Sequence, residues 1–164
     1  MLQVRELAWS TCRALIARVL STRPTPCHIG FIMDGNRRYA QKYGMVTSKG
    51  HSEGYSALLD CLQWCQELGI SFVSVYAFSI DNYKRTVEEV DTLMSLAEQK
   101  LIELSREWEK LGKRGICVKI IGDLSLAPRA VQDAADRVMR TTENNSLCTL
   151  NICFSYTYVH CFGK

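Results

Sequence analysis

His28-Ile-Gly-Phe-Ile-Met-Asp-Gly-Asn-Arg-Arg-Tyr-Ala40 is an apolar run that stops at Asp34 and turns at once into a glycine, an amide and two guanidinium groups. Ile29 to Met33 reads as a buried strand. That puts Asp34 at its carboxyl end, the side on which open α/β sheets hold their ligands. Gly35 lets the backbone approach closely. Asn36 is predicted to cap a helix opening at Arg37, so that free backbone N–H groups and the Arg37 and Arg38 forks face one space. A carboxylate beside two arginines and a helix N-terminus suits a magnesium-bound phosphate or diphosphate. The same residues have an ordinary reading too, because Asp-Gly-Asn is a common turn and paired arginines at a helix start are usually solvated.

Downstream, Ser48 to Leu68 reads as a helix with Leu58, Leu59, Leu62, Cys65 and Leu68 on one side, and Gly69 stops it. Its first turns hold Gly50, His51, Ser52 and Gly54, small or polar residues that leave room for a ligand. Ser71 to Ser79 is predicted as a second strand, followed by a polar loop with Ser79, Asp81, Asn82, Tyr83 and Arg85. Thr86 and Glu89 have capping-box spacing at the next helix, a sufficient structural reason for both. Arg85, at the mouth of that helix, is placed to grip a phosphate group. Val87 to Leu111 carries Val90, Leu93, Met94, Ala97, Leu101, Leu104, Trp108 and Leu111 at three- and four-residue steps, a core stripe by default. Ile116 to Ile121 is a third strand, Pro128 opens another helix that ends near Asn145, and Leu147 to Phe154 is a fourth strand. Strands alternating with helices call for an α/β fold, a mostly parallel sheet flanked by helices.

Upstream, Leu2, Leu7, Ala8, Cys12, Leu15, Ile16, Val19 and Leu20 recur at helical intervals among Arg5, Glu6, Arg13 and Arg18. This amphipathic helix is too charged and too short to span a bilayer. It could lie on a membrane surface, pack onto the domain or act as a transit peptide. Ser21-Thr-Arg-Pro-Thr-Pro26 breaks it.

With 164 residues, 47% apolar and 23% charged, the chain is one soluble globular domain by length and composition. A net charge of +3 without a long basic run argues against nucleic acid as a partner. Eight cysteines without a CxxC pair and three unclustered histidines give no zinc spacing, and the cysteines read as reduced core residues in a cytosolic environment.

The opening stretch, followed by Gly50-His51 and by Tyr76-Ala-Phe-Ser-Ile-Asp-Asn-Tyr-Lys-Arg85, resembles the cis-prenyltransferases of the undecaprenyl diphosphate synthase family. It is most similar to the eukaryotic dehydrodolichyl diphosphate synthase branch, because Arg37 stands where the bacterial enzymes carry glycine. The resemblance implies condensation of isopentenyl diphosphate onto an allylic diphosphate of the farnesyl type, giving long polyprenyl diphosphate for dolichol and protein glycosylation. It implies Asp34, Asn36 and Asn82 as catalytic, with Mg2+ on Asp34, and Gly35, Arg37, Arg38, His51, Ser79, Arg85 and Glu89 as diphosphate-binding residues. It further implies that the helix along 87–111 walls a channel for the isoprenoid. Peripheral contact of the leading helix with the cytosolic face of the endoplasmic reticulum follows from the same likeness, with a cytoplasmic protein as the alternative. So does a Nogo-B-receptor-like subunit or a homodimer.

The expected organisation is an N-terminal helix and linker over 1–26, a partial prenyltransferase domain over 27–157 and a divergent tail over 158–164. Family members continue past Thr157 to further helices, two arginines, a serine and a glutamate that serve the second substrate and the metal. The chain is therefore expected to lack the C-terminal part of the domain and to turn over poorly alone. Thr47 also departs from an arginine usual in the family. Two rival readings are a non-catalytic subunit and a phosphatase with Asp34 as nucleophile; the second lacks the Asp-x-Asp pattern of that chemistry.

Overall fold

A computed structural model describes residues 12, 13, 15–111 and 115–157, with 107–111 as backbone only. Most of the predicted leading helix, the Trp108 and Leu111 side chains of the long apolar stripe and the 158–164 tail lie outside the described residues. Four parallel strands form one sheet in the order β1-β2-β4-β3, with β1 His28–Ile32, β2 Phe72–Ser79, β3 Ile116–Ile121 and β4 Cys148–Tyr156. Helices make the crossovers: α2 Asn36–Lys42 and α3 Thr47–Glu67 after β1, α4 Val87–Leu111 after β2, and α5 Arg129–Thr142 after β3. Residues 12, 13 and 15–20 belong to a leading helix, α1. The parallel α/β sheet expected from the alternation is the one observed.

The two central strands supply the driest residues. Val73 and Val75 of β2 and Leu150 of β4 are buried, joined by Val118 of β3. On α5, Val131, Ala134, Ala135, Val138 and Thr142 share one buried stripe, the spacing of a helix laid on a sheet. Thr142 is buried because its hydroxyl is used twice: it accepts from Val118 N–H at 3.0 Å and donates to the Val138 carbonyl at 2.8 Å. Cys65 and Cys148 are buried free thiols whose pKa burial raises, as expected of core cysteines, whereas Cys12 and Cys27 are exposed, because they lie on the leading helix and just before the edge strand rather than under the sheet.

Ile29 to Met33 was expected to be a buried strand, and it is not. β1 is an edge strand bonded only to β2, its residues alternate between exposed and half-buried, and Ile32 is 80% exposed. An edge strand has one neighbour, so an apolar sequence alone cannot bury it. α1 packs as well as exposing an apolar side. Arg13 pairs with Glu67 of α3 at 2.9 Å and Ala17 is buried, while Leu15, Ile16, Val19 and Leu20 stand exposed. Among the described residues no helix is long and apolar enough to cross a membrane.

Candidate functional site

The carboxyl ends of β1, β2 and β4 meet at one rim. At the end of β1, Met33 N–H still bonds to the Tyr76 carbonyl at 3.2 Å, after which Asp34 N–H turns back to the Ile32 carbonyl at 2.9 Å. Gly35 then takes φ 90°, a left-handed conformation that a side chain would strain, and becomes the N-cap of α2. Its N–H donates to Asp34 Oδ1 at 2.6 Å, and Arg38 Nη2 donates to Asp34 Oδ2 at 3.1 Å. Asp34 is thus presented at the surface by its own turn and by the residue one helical turn on.

Asn36 was expected to cap this helix; instead it is the first helical residue, with no side-chain cap. The glycine before it is already left-handed, so the amide is released towards α3, where Asn36 Nδ2 donates to His51 Nδ1 at 3.5 Å. α2 has seven residues and contributes side chains rather than a strong dipole. Gly50 and Gly54 also serve differently from the expectation that they leave room for a ligand. A Cβ on Gly50 would lie 2.5 Å from the Asn36 carbonyl oxygen, and one on Gly54 2.5 Å from Asn36 Oδ1. The space they leave is filled by α2, and that close approach seats Asn36 beside His51.

After β2 the expected loop is a 3-10 turn, Ile80–Lys84, closed by its own capping box. Ser79 Oγ accepts from Asp81 N–H at 3.1 Å, and Asn82 Oδ1 accepts from Ser79 N–H at 2.8 Å. Asp81 bonds outward to Lys84 at 2.7 Å, both exposed. Tyr83 anchors the turn to the sheet: its hydroxyl lies 2.7 Å from Ser155 Oγ and its ring meets Phe78 edge-on. Ser155 is the one non-glycine residue with positive φ among those described, 49°, where β2 and β4 slip register by a bulge on each strand. The bulges stack Phe78 on Phe154 at the floor of the site.

Arg85 Nη1 donates to Glu89 Oε1 at 2.8 Å, and Arg37 Nη1 reaches the same oxygen at 3.2 Å. Only half of the predicted capping box forms, through Glu89 N–H to Thr86 Oγ1 at 3.3 Å, because the carboxylate is drawn to the two arginines. One acid thereby ties the loop after β1 to the loop after β2. His51 faces this pair. Burial first, then the Arg85 and Arg37 charges, lower its pKa below the ordinary 6.5, with Glu89 opposing, so the ring is neutral at pH 7 and accepts from Asn36.

Behind the rim opens a cavity of about 370 Å3. Asp34, Asn36, His51, Ser79, Asn82 and Arg85 line its polar mouth, while Leu58 of α3, Leu93, Leu96, Ala97, Leu101 and Leu104 of α4, and Ile120, Ile152 and Phe154 of the sheet line its apolar interior. Six of the ten predicted site residues therefore line one cavity. Gly35, Arg37, Arg38 and Glu89 adjoin it through the bonds just described. Along the apolar stripe of α4, Met94 and Val90 pack into the core alone, while Leu93, Ala97, Leu101 and Leu104 pack into the core and also wall the cavity. Sequence reading placed Tyr83 in the polar loop without a role and missed Tyr55, Lys100 and Ser155. For Lys100 a signal was present, a lysine between Ala97 and Leu101 at core spacing. Among the described residues no three His, Cys, Asp or Glu side chains form a metal cage.

The sequence matches the family described as "Putative undecaprenyl diphosphate synthase" over residues 32–160. It is 46% identical over 157 residues to the human dehydrodolichyl diphosphate synthase complex subunit DHDDS, an alignment covering 96% of this chain and 47% of that protein. It is 42% identical over 144 residues to a tritrans,polycis-undecaprenyl-diphosphate synthase (geranylgeranyl-diphosphate specific) of Pyrococcus horikoshii, covering 88% and 54%. The chain spans about half the length of the curated relatives it matches. Among solved structures, it is similar to lavandulyl diphosphate synthase from Lavandula x intermedia in complex with dimethylallyl diphosphate. There the TM-score is 0.74 at 28% identity, over 80% of this chain and 56% of that one. A probable undecaprenyl diphosphate synthase from Campylobacter jejuni gives 0.67 at 27%, over 84% and 58%.

Proposed function

The chain belongs to the undecaprenyl diphosphate synthase family, the cis-prenyltransferases, and from that premise we propose that its cavity takes an allylic diphosphate for elongation by isopentenyl diphosphate. The observation that carries this reading is the polarity of the cavity: cations and amides at the mouth, aliphatic side chains behind. A diphosphate fits the first and an isoprenoid tail the second.

In the reaction the allylic C–O bond breaks and its electron pair leaves with the diphosphate. The alkene of isopentenyl diphosphate supplies the pair for the new C–C bond, and a proton is lost to restore a double bond, in the cis geometry. Arg37 and Arg85 leave Glu89 to meet the departing diphosphate, where their charge is worth most as negative charge grows. Asn36 and Asn82 orient the headgroup through their amides. Neutral His51, its Nδ1 engaged by Asn36, donates from Nε2 to a phosphate oxygen, and the proton lost from the new chain passes to the released diphosphate. Arg38 assists in positioning isopentenyl diphosphate. Gly35 and Ser79 shape the turns that present these groups. Mg2+ suits this donor set when it arrives with the diphosphate, because it is commonly held by one or two carboxylates plus phosphate oxygens, and Asp34 is one exposed carboxylate at the mouth. Bound there, it would neutralise charge on the leaving group.

The name of the human relative, a complex subunit, supports action within an assembly; the partner in this reading is a Nogo-B-receptor-like subunit or a second copy of the chain. The exposed apolar side of α1 beside Arg18 and Arg23 supports peripheral contact with a membrane; that this membrane is the cytosolic face of the endoplasmic reticulum is carried by the family likeness alone. Calorimetry with farnesyl diphosphate and Mg2+ tests the central reading. Binding is expected, competed by inorganic diphosphate, and weakened about ten- to a hundredfold in Arg85→Met, the cost of a charged hydrogen bond. Equal affinity of Arg85→Met and the parent chain would refute it. Labelled isopentenyl diphosphate, with and without a co-expressed partner, then tests turnover.

A further inference from the structure

Glu89 is an acid in a site that suits an anion, and two seats are within reach of its carboxylate. In the first, which it occupies, Oε1 accepts from Arg85 Nη1 at 2.8 Å and lies 3.2 Å from Arg37 Nη1. The second is on its own helix. Thr86 caps α4: its carbonyl accepts from Val90 N–H at 3.0 Å and its Oγ1 from Glu89 N–H at 3.3 Å. The Thr-x-x-Glu spacing also brings the Glu89 carboxylate within reach of the Thr86 N–H, the reciprocal half of a capping box. That N–H has no hydrogen-bond partner among the described residues.

We propose that Glu89 is a positioning residue that trades seats with the ligand. In the empty site it holds Arg37 and Arg85; when a diphosphate takes the two guanidinium groups, the carboxylate turns to the Thr86 N–H and completes the cap of α4. This rests on the reading of the cavity mouth as a diphosphate site. Asp34 is paired with Arg38, so Glu89 is the carboxylate that the ligand displaces from Arg37 and Arg85. Left in place, it would set like charge against the ligand. On the first turn of α4 it meets instead the positive end of a 25-residue helix and an unused donor. Side-chain rotation is enough for the move, because the bond from Glu89 N–H to Thr86 Oγ1 already fixes the turn. One acid thus gathers the cations before binding and does not oppose the anion afterwards.

The test is amide exchange at Thr86, followed by NMR in the purified chain with and without saturating farnesyl diphosphate and Mg2+, beside calorimetry. In the parent chain the ligand is expected to slow Thr86 exchange about fivefold or more. Glu89→Ala, which can fill neither seat, keeps fast exchange in both states. Glu89→Gln keeps the capping geometry without a charge to draw it to the arginines. Its Thr86 exchange is slow before ligand is added, and it binds farnesyl diphosphate about 3- to 30-fold more tightly, the scale of one like charge removed at a few ångströms. Circular dichroism verifies that each variant is folded. Unchanged Thr86 exchange in the parent chain while calorimetry records binding overturns the trade and leaves the binding site standing. Slowing that persists in Glu89→Ala does the same, since the ligand itself then holds the amide. Equal or weaker binding by Glu89→Gln overturns the displacement. Failure of the parent chain to bind farnesyl diphosphate overturns both the trade and the site.

Discussion

At the scale of single residues, His51 and Glu89 decide how the site behaves. Glu89 holds Arg37 and Arg85 on one oxygen, so the two cations are gathered before any ligand arrives. His51 pays for its position beside them with a lowered pKa, burial being the largest cause and Arg85 the next. A titration of the imidazole by NMR is expected to show a midpoint below 6.5, moving upward in Arg85→Met. A histidine depressed in the folded state binds fewer protons there than in the unfolded chain. Its contribution to stability is therefore full above the unfolded value near 6.5 and is lost as pH falls through the lowered folded value. Urea midpoints of the parent chain and His51→Gln, measured from pH 7.5 to 5, should converge at the acid end. Gly50 acts sterically: in Gly50→Ala the added methyl meets the Asn36 carbonyl and the Ala40 Cβ, so α2 must shift. A loss of about 1–3 kcal/mol in urea unfolding is expected, with weaker farnesyl diphosphate binding because Asn36 moves with the helix.

Elements carry the next level of control. The strand-to-helix turns after β1 and β2 were legible because Asp34-Gly35 and Ser79 to Arg85 break apolar runs with polar residues. Which residue caps which turn was not. Asn36 lost its expected cap role to Gly35, and Ser79 with Asn82 formed a capping box no periodicity reveals, since caps depend on backbone angles at one or two residues. The α4 stripe shows the same limit: one apolar spacing serves both core and cavity wall, and Leu101 and Leu104 belong to both. α5 is fastened to β3 by Thr142. Thr142→Val keeps the shape but strands the Val118 N–H, and should cost about 1–3 kcal/mol in a urea melt, against near-neutral change for the exposed Thr141→Val. α1 presents Leu15, Ile16, Val19 and Leu20 to solvent, and flotation with anionic vesicles should recover the parent chain but not Leu15→Glu/Val19→Glu.

At the scale of the whole molecule, the sheet brings together the ends of strands far apart in sequence, and ligand binding is felt by the entire fold. At about a hundred times Kd, farnesyl diphosphate should add roughly 2.7 kcal/mol, a rise in Tm of about 5–10 °C for a domain of this size, and Arg85→Met should remove between about half and about 85% of it at the same concentration. By itself the sequence determined the elements, their parallel arrangement and the residues that gather at the rim. Hydrophobic spacing is a local property, and polar residues interrupting strand ends are visible in the chain. Only the tertiary structure decided that β1 is an exposed edge, that Gly50 and Gly54 admit a helix, that Glu89 joins two arginines, and that the Lys100 ammonium sits over the Tyr55 ring. Each of these depends on which element lies opposite, and that is set by packing between segments that no local pattern relates.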